Sequence, residues 1–333
     1  MMQHPAIQAL LTSSLLIAGM LLYAAWYGVK ILRSWDLHSG SELQLQLERR
    51  TYLISSILGY VLAFQVLSLF LFIFTADSLH SQFTGAMCAA GSLNANGFGY
   101  PTFFLKIATC ILAGVWLIIN HVDTRGYDYP LIRLKYGILV AILAPLVLIE
   151  AFLQFKYFQG LHADVITSCC GSLFSVDRRS IGGDIAALPA GPMEWVFYSA
   201  VAATFVSGII FCLKGRGGYF FSVASSLMFI ISTLSLVSFV CLYIYELPSH
   251  HCPFCILQKE YGYVGYVLYV SLFCGGVAGL GTGALMPFRN HVSLSRIIPA
   301  VQHKLSLFAL ASYLLYCLIV SYYLIFSSLR LFP

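Results

Sequence analysis

The chain has 333 residues, of which 59% are apolar and only 9% charged, with a mean hydropathy of +0.85. Soluble domains carry about 25% charged residues, so this composition excludes a soluble globular protein and implies a polytopic membrane protein held in a lipid bilayer. The formal charge of +5 is what basic loops on a cytoplasmic face produce, and with no basic patch interleaved with aromatics it does not point to nucleic acid.

With about 20 apolar residues per crossing, eight runs qualify, roughly 7–31, 52–75, 101–120, 136–156, 194–213, 219–246, 253–286 and 304–328. The expected architecture is all-α: a bundle of about eight transmembrane helices in a single domain, residues 1–333. Met1-Met-Gln-His-Pro5 has no basic n-region, so the first run is expected to be kept as a helix. One set of loops, with the helix ends facing it, carries twelve Lys and Arg, and the other side six. The positive-inside rule then puts both termini outside, most simply in a bacterial or archaeal inner membrane.

That orientation sorts the ten cysteines. Cys88, Cys169, Cys170, Cys252 and Cys255 fall in outside loops, whereas Cys110, Cys212, Cys241, Cys274 and Cys317 lie within spans, where a thiol packs as a small apolar side chain. Thiols on the oxidising face point to disulfide or thiol-exchange chemistry outside the cytoplasm. The first outside loop, 76–100, carries His80 and Cys88 among glycines and asparagines that form turns, and Pro101 opens the next helix. The second, 157–193, holds His162 and the adjacent Cys169 and Cys170. Neighbouring cysteines rarely bond each other, because the intervening peptide must distort, so each is expected to seek a partner elsewhere. Cys88, Cys170 and Cys252 are spaced by 82 and 82 residues. Their flanks are unlike, so this is not a repeat, yet three cysteine loops on one face can converge. Five outside thiols cannot all pair, and connectivity stays open.

Charges mark the outer ends of several helices: Lys106, Glu150, Glu194, Glu246, Lys259 and Glu260. They either snorkel to water or build a polar pocket, with Lys106 facing Glu150 or Glu246, that suits a head group, a quinone or a metal.

The third outside loop is the densest in chemistry, with His250, His251, Cys252, Pro253 and Cys255 inside six positions. Pro253 suits the first position of a helix, which makes Cys252 its cap, where the helix dipole favours a reactive thiolate. Cys255 is then the resolving partner. The bland alternative is a structural disulfide or a pair of inert buried thiols. A helix from Pro253 to Met286 would be about 50 Å long, more than the roughly 30 Å hydrocarbon core, so a bend is expected near Gly262 and Gly265. Gly275, Gly279 and Gly283 mark a small-residue packing face. Covalent haem is excluded, because Ile256 rather than His follows Cys255, and no haem is expected between spans that lack a central histidine. Walker and dinucleotide signatures are absent.

Cys252-Pro-Phe-Cys255, followed by Ile256 and by Lys259 one turn on, resembles the active-site helix of quinone-coupled membrane thiol oxidoreductases, the bacterial disulfide-bond oxidase and vitamin K epoxide reductase family. The resemblance implies that Cys252 and Cys255 are a quinone-linked pair and that Lys259 lies near the quinone oxygens. It also implies that Cys88, with Cys169 or Cys170, relays electrons to a thioredoxin-like partner outside. Two other readings stay open. Four histidines, His80, His162, His250 and His251, share the outer face with the five thiols, a set that suits Cu(I) or Zn(II). The chain is otherwise a non-catalytic membrane subunit whose disulfide-pinned loops hold a partner.

Overall fold

A computed structural model describes residues 2–36, 39–162, 165–167 and 181–330. Among them regular structure is helical, with a single isolated β-bridge between Thr84 and Ile166. The helices are α1 (Pro5–Ser34), α2 (Glu42–Ser78), α3 (Ala89–Leu93), α4 (Gly99–Asp123), α5 (Ile132–Gln159), α6 (Ile181–Ala186), α7 (Ala190–Lys214), α8 (Gly218–Tyr245), α9 (Val264–Ala284) and α10 (Ile297–Phe326). Eight of these, all but α3 and α6, are long and apolar enough to cross a membrane. Their exposed faces carry large apolar side chains such as Leu15, Tyr60, Trp195 and Leu213, as contact with lipid requires.

Each of the eight apolar runs falls on one helix; the second helix starts well before its run, at Glu42, whereas the seventh run starts well before its helix. Its helix begins at Val264, eleven residues after Pro253. The bend expected near Gly262 and Gly265 is a full break, since Gly262 and Tyr263 both take left-handed backbone, with φ of 62° and 57°. Other interruptions have local causes. Gly215 and Gly217, at φ of 63° and 87°, let α7 stop and α8 start within three residues, a turn that a Cβ would strain. In α5 the helix widens into a π-turn over Leu139–Leu143 immediately before Pro145, which absorbs the hydrogen bond that the proline cannot donate.

The chain divides into two compact units. The first, residues 1–75, 96–162 and 287–300, packs α5 against both α1 and α4. Its core joins Leu21, Ala24 and Tyr27 of α1 to Trp116 of α4 and to Tyr136 and Leu143 of α5. Gly28 lets α1 approach α5: a Cβ there would meet Val140 at 2.9 Å.

The second unit, residues 76–95, 163–286 and 301–333, is built on α8, which packs against α7 and α9. The small-residue face expected on α9 is present and turned inward. Cβ atoms added at Gly279 and Gly283 would collide with Ser225 and Ser222 of α8, and one at Gly275 would lie 2.9 Å from the ring of Tyr313. Tyr313 Oη in turn donates to the Ser225 carbonyl at 2.7 Å, and Tyr316 Oη donates to that of Ser232 at 3.1 Å. Gly279→Leu should therefore push α9 off α8 and cost about 1–3 kcal/mol or more, read as a lower unfolding temperature in detergent. Gly19→Ala, on a helix face with open space around it, should leave that temperature unchanged or raise it.

Candidate thiol centre

Cys88 sits in the connection between α2 and α4, as the residue before α3. Its position is fixed from two sides. The Asp77 carboxylate, at the end of α2, accepts the Ala89 N–H at 3.1 Å, and the Cys88 carbonyl accepts the Gly91 N–H at 3.0 Å. Further back, Thr167 N–H donates to the Thr84 carbonyl at 2.9 Å, and Gly85, at φ 88°, lies where any Cβ would strike the Thr167 carbonyl.

Cys252 and Cys255 lie in the connection from α8 to α9. The expectation that Cys252 caps a helix opening at Pro253 is corrected here. Cys255–Leu257 and Lys259–Tyr261 are two separate 3-10 turns, parted by extended backbone at Gln258. The helix cannot run back through them, because Gly262 and Tyr263 reverse the chain and fold the first turn onto α9. Gly265 makes that contact possible: a Cβ there would lie 2.7 Å from Ile256 Cγ1 and 2.9 Å from its carbonyl. The helix-dipole argument for Cys252 falls with the helix. So does the placing of Lys259 one helical turn beyond Cys255, and its side chain is exposed.

The two connections bring three sulfurs together. Cys88 Sγ lies 3.6 Å from Cys252 Sγ, and the sulfurs of Cys88, Cys252 and Cys255 all lie within 4.8 Å of one another. The three residues are 0%, 1% and 5% exposed, so the cluster sits inside the protein rather than on its rim. Cys169 and Cys170 lie outside the described residues.

Side chains of α8 and α9 hold the backbone that carries this cluster. Cys241 and Tyr245, one turn apart on α8 and so on the same face, both reach the Cys252 carbonyl, at 3.5 Å and 2.5 Å. Tyr269 Oη of α9 donates to the Pro253 carbonyl at 2.6 Å. Gln258 Nε2 donates to the Met87 carbonyl at 2.8 Å and to the Asp77 carboxylate at 3.5 Å, joining the two cysteine connections directly. Burial pushes the Tyr261 phenol up, with the neighbouring Cys255 thiol and Glu260 adding to it.

Sequence reasoning missed Asp77, Cys241, Tyr245, Gln258 and Tyr269 as members of this site. A signal existed for two of them, since a cysteine and a tyrosine four residues apart at the last turn of α8 form one face immediately before the thiol motif.

The four histidines expected as metal ligands stay out of the cluster. His251 is buried with Nδ1 2.9 Å from the Val237 carbonyl, His250 packs edge-on against Tyr245, His80 Nδ1 pairs with the Asp77 carbonyl, and His162 is exposed. Glu246 is exposed too and accepts the Ser328 N–H at 2.8 Å and the Ser327 hydroxyl at 3.4 Å, which hold its carboxyl below the usual carboxylate range. Lys106 therefore faces Glu150 and not Glu246.

That pair belongs to the first unit. Lys106 Nζ lies 2.7 Å from Glu150 Oε1, with both side chains at most 2% exposed. Ser68 accepts a second Lys106 proton at 3.1 Å, and the other Glu150 oxygen accepts from Gln65 at 2.7 Å and from Thr109 at 2.5 Å. The partners close on one another, which makes this a satisfied structural network and not an open polar pocket.

No family model, no curated protein and no solved structure matches the chain.

Two outcomes test this geometry. Lys106→Met leaves the Glu150 carboxylate buried and uncompensated and should cost about 3–5 kcal/mol; Lys106→Met/Glu150→Leu should recover most of that in thermal unfolding. In a Cys255→Ser protein, mild oxidation should join Cys88 to Cys252, seen as one cross-linked peptide pair by mass spectrometry.

Proposed function

We propose that the chain is a membrane thiol–disulfide oxidoreductase, in which Cys252 exchanges between Cys88 and Cys255 and passes electrons between thiols outside the membrane and a quinone within it. The observation that carries this reading is the 3.6 Å separation of Cys88 and Cys252 sulfurs, residues 164 positions apart, with Cys255 beside both. A disulfide needs sulfurs about 2.05 Å apart, so either bond would draw together side chains that already lie within 4.8 Å of each other. One sulfur with two alternative partners is what a relay requires.

Cys252 and Cys255 thiols join as a disulfide, and their two electrons and two protons convert a quinone to its quinol. The Cys88 thiolate attacks the Cys252 sulfur, forming the Cys88–Cys252 disulfide and releasing the Cys255 thiolate. A thioredoxin-like dithiol then attacks at Cys88, leaves with its own disulfide, and returns Cys88 and Cys252 as thiols. All three steps run backward when the quinone pool is reduced. Burial of the trio suits a lipid-soluble electron carrier, and both termini outside the membrane would put the connections bearing Cys88 and Cys252 on the oxidising side.

In a graded redox buffer the Cys252/Cys255 pair should titrate between dithiol and disulfide near about −200 mV, where catalytic pairs lie, by mass spectrometry of alkylated peptides. Quinone reduction by the purified protein should disappear in Cys252→Ser and persist in Cys317→Ser. A pair still oxidised below about −300 mV would be structural, and the proposal would fall.

A further inference from the structure

Beyond exchange, the geometry points to a second use of the reduced trio: we infer that Cys88, Cys252 and Cys255 together form a three-sulfur site for one soft, thiophilic cation, of the Cu(I) class. Metal–sulfur bonds of about 2.3 Å put the sulfurs of a planar three-coordinate ion about 4.0 Å apart. The observed separations, 3.6 Å for Cys88 and Cys252 and no more than 4.8 Å for any pair, lie close to that figure. Thiolate ligands select Cu(I) and Zn(II) among biological cations, and the two differ in coordination number. Zinc sites held by protein are almost always four-coordinate.

Among the described residues no His, Cys, Asp or Glu atom joins the three sulfurs within their shell. His251 Nδ1 faces the Val237 carbonyl, and the His80 Nδ1 pairs with that of Asp77. Burial of Cys88, Phe254, Ile256 and Leu257 leaves little place for water to complete a tetrahedron. A three-sulfur set closed to water fits Cu(I) and leaves Zn(II) under-coordinated. The cluster is also preorganised: Gln258 and Asp77 tie the two connections together, and Tyr245 and Tyr269 hold the carbonyls of Cys252 and Pro253, so the ion does not have to gather its ligands.

The same sulfurs then serve one purpose at a time. Joining any two as a disulfide removes the ion's shell, and the bound ion ties up the thiols that exchange needs.

The test is titration of the reduced full-length protein in detergent with Cu(I) held by a competing chelator, and separately with Zn(II). One Cu(I) per chain is expected, with three sulfurs at about 2.3 Å in the X-ray absorption spectrum and Zn(II) bound more weakly. Diamide-oxidised protein should bind none. Cys88→Ser should weaken Cu(I) by more than the roughly tenfold that loss of a mere outer-shell partner of a ligand costs, and Cys317→Ser should not weaken it. A spectrum with two sulfurs, preference for Zn(II), or full affinity in Cys88→Ser overturns the inference, and the absorption spectrum decides even where a variant does not fold. Absence of Cu(I) from a protein whose thiols still cycle with quinone defeats this inference and leaves the oxidoreductase proposal standing. Tight Cu(I) without cycling does the reverse.

Discussion

Lipid offers no hydrogen bonds, so a chain with eight helices long and apolar enough to cross a membrane must satisfy its backbone polar groups from within. Helices do this by themselves, but the stretch from Glu246 to Tyr263 does not. It makes two 3-10 turns and carries three positive-φ residues, Glu246, Gly262 and Tyr263, yet Phe254, Cys255, Ile256 and Leu257 are all buried. Its stray carbonyls are met by side chains of the adjoining helices, with Tyr245 and Cys241 on Cys252 and Tyr269 on Pro253. Those bonds satisfy two carbonyls of the irregular segment and anchor the backbone that carries Cys252. The thiol cluster follows from how the backbone around it is completed.

The same demand governs charge. In the first unit Lys106 and Glu150 form one buried pair, and Lys135 and Asp123 form another at 2.6 Å, lower on α4. The second pair organises the short connection after α4: Asp123 also accepts the Leu131 N–H at 2.8 Å, and Lys135 reaches Asn120 at 3.2 Å. A buried pair adds little net stability, because desolvation offsets attraction, but losing one partner is expensive. Both pairs therefore act on register. They allow α4 to meet α5 in one alignment, which apolar stripes alone leave free to slide.

Most of the helical architecture was legible in the sequence, because each crossing must be long and apolar whatever its neighbours are. The inward glycine face of α9 was legible for the same reason. The start of α9 was not. Pro253 between Cys252 and Phe254 reads locally as a helix opening, and nothing in that tetrapeptide reveals that Gly265 will accept Ile256 against it. Tertiary contact overrode local preference. Lys106 was recognisable as a buried-charge candidate, but its choice of Glu150 over Glu246 depended on which helix faces met. The histidines misled for a simpler cause. Sequence proximity placed His250 and His251 beside Cys252, while the turn sends their rings toward Tyr245 and the Val237 carbonyl. Cys88 and Cys252 did converge, as similar spacing along the chain allowed, although the residues that bring them together, Asp77 and Gln258, are polar side chains with no motif to announce them.

Three thiols held in contact away from water have few ways to react. As neutral thiols they pack like small apolar groups, whereas burying a charge is costly unless it is paired. Loss of a proton is therefore favourable mainly when coupled to something that absorbs the charge, and two partners do so: a second sulfur, through a bond that removes the charge altogether, or a cation. Both draw on the same arrangement, and both need Cys88 to stay against Cys252. The Gln258 bridge to Met87 and Asp77 is consequently more than a loop contact. It ties the connection bearing Cys88 to the one bearing Cys252 and Cys255, so the proposed relay and the proposed metal shell both depend on it.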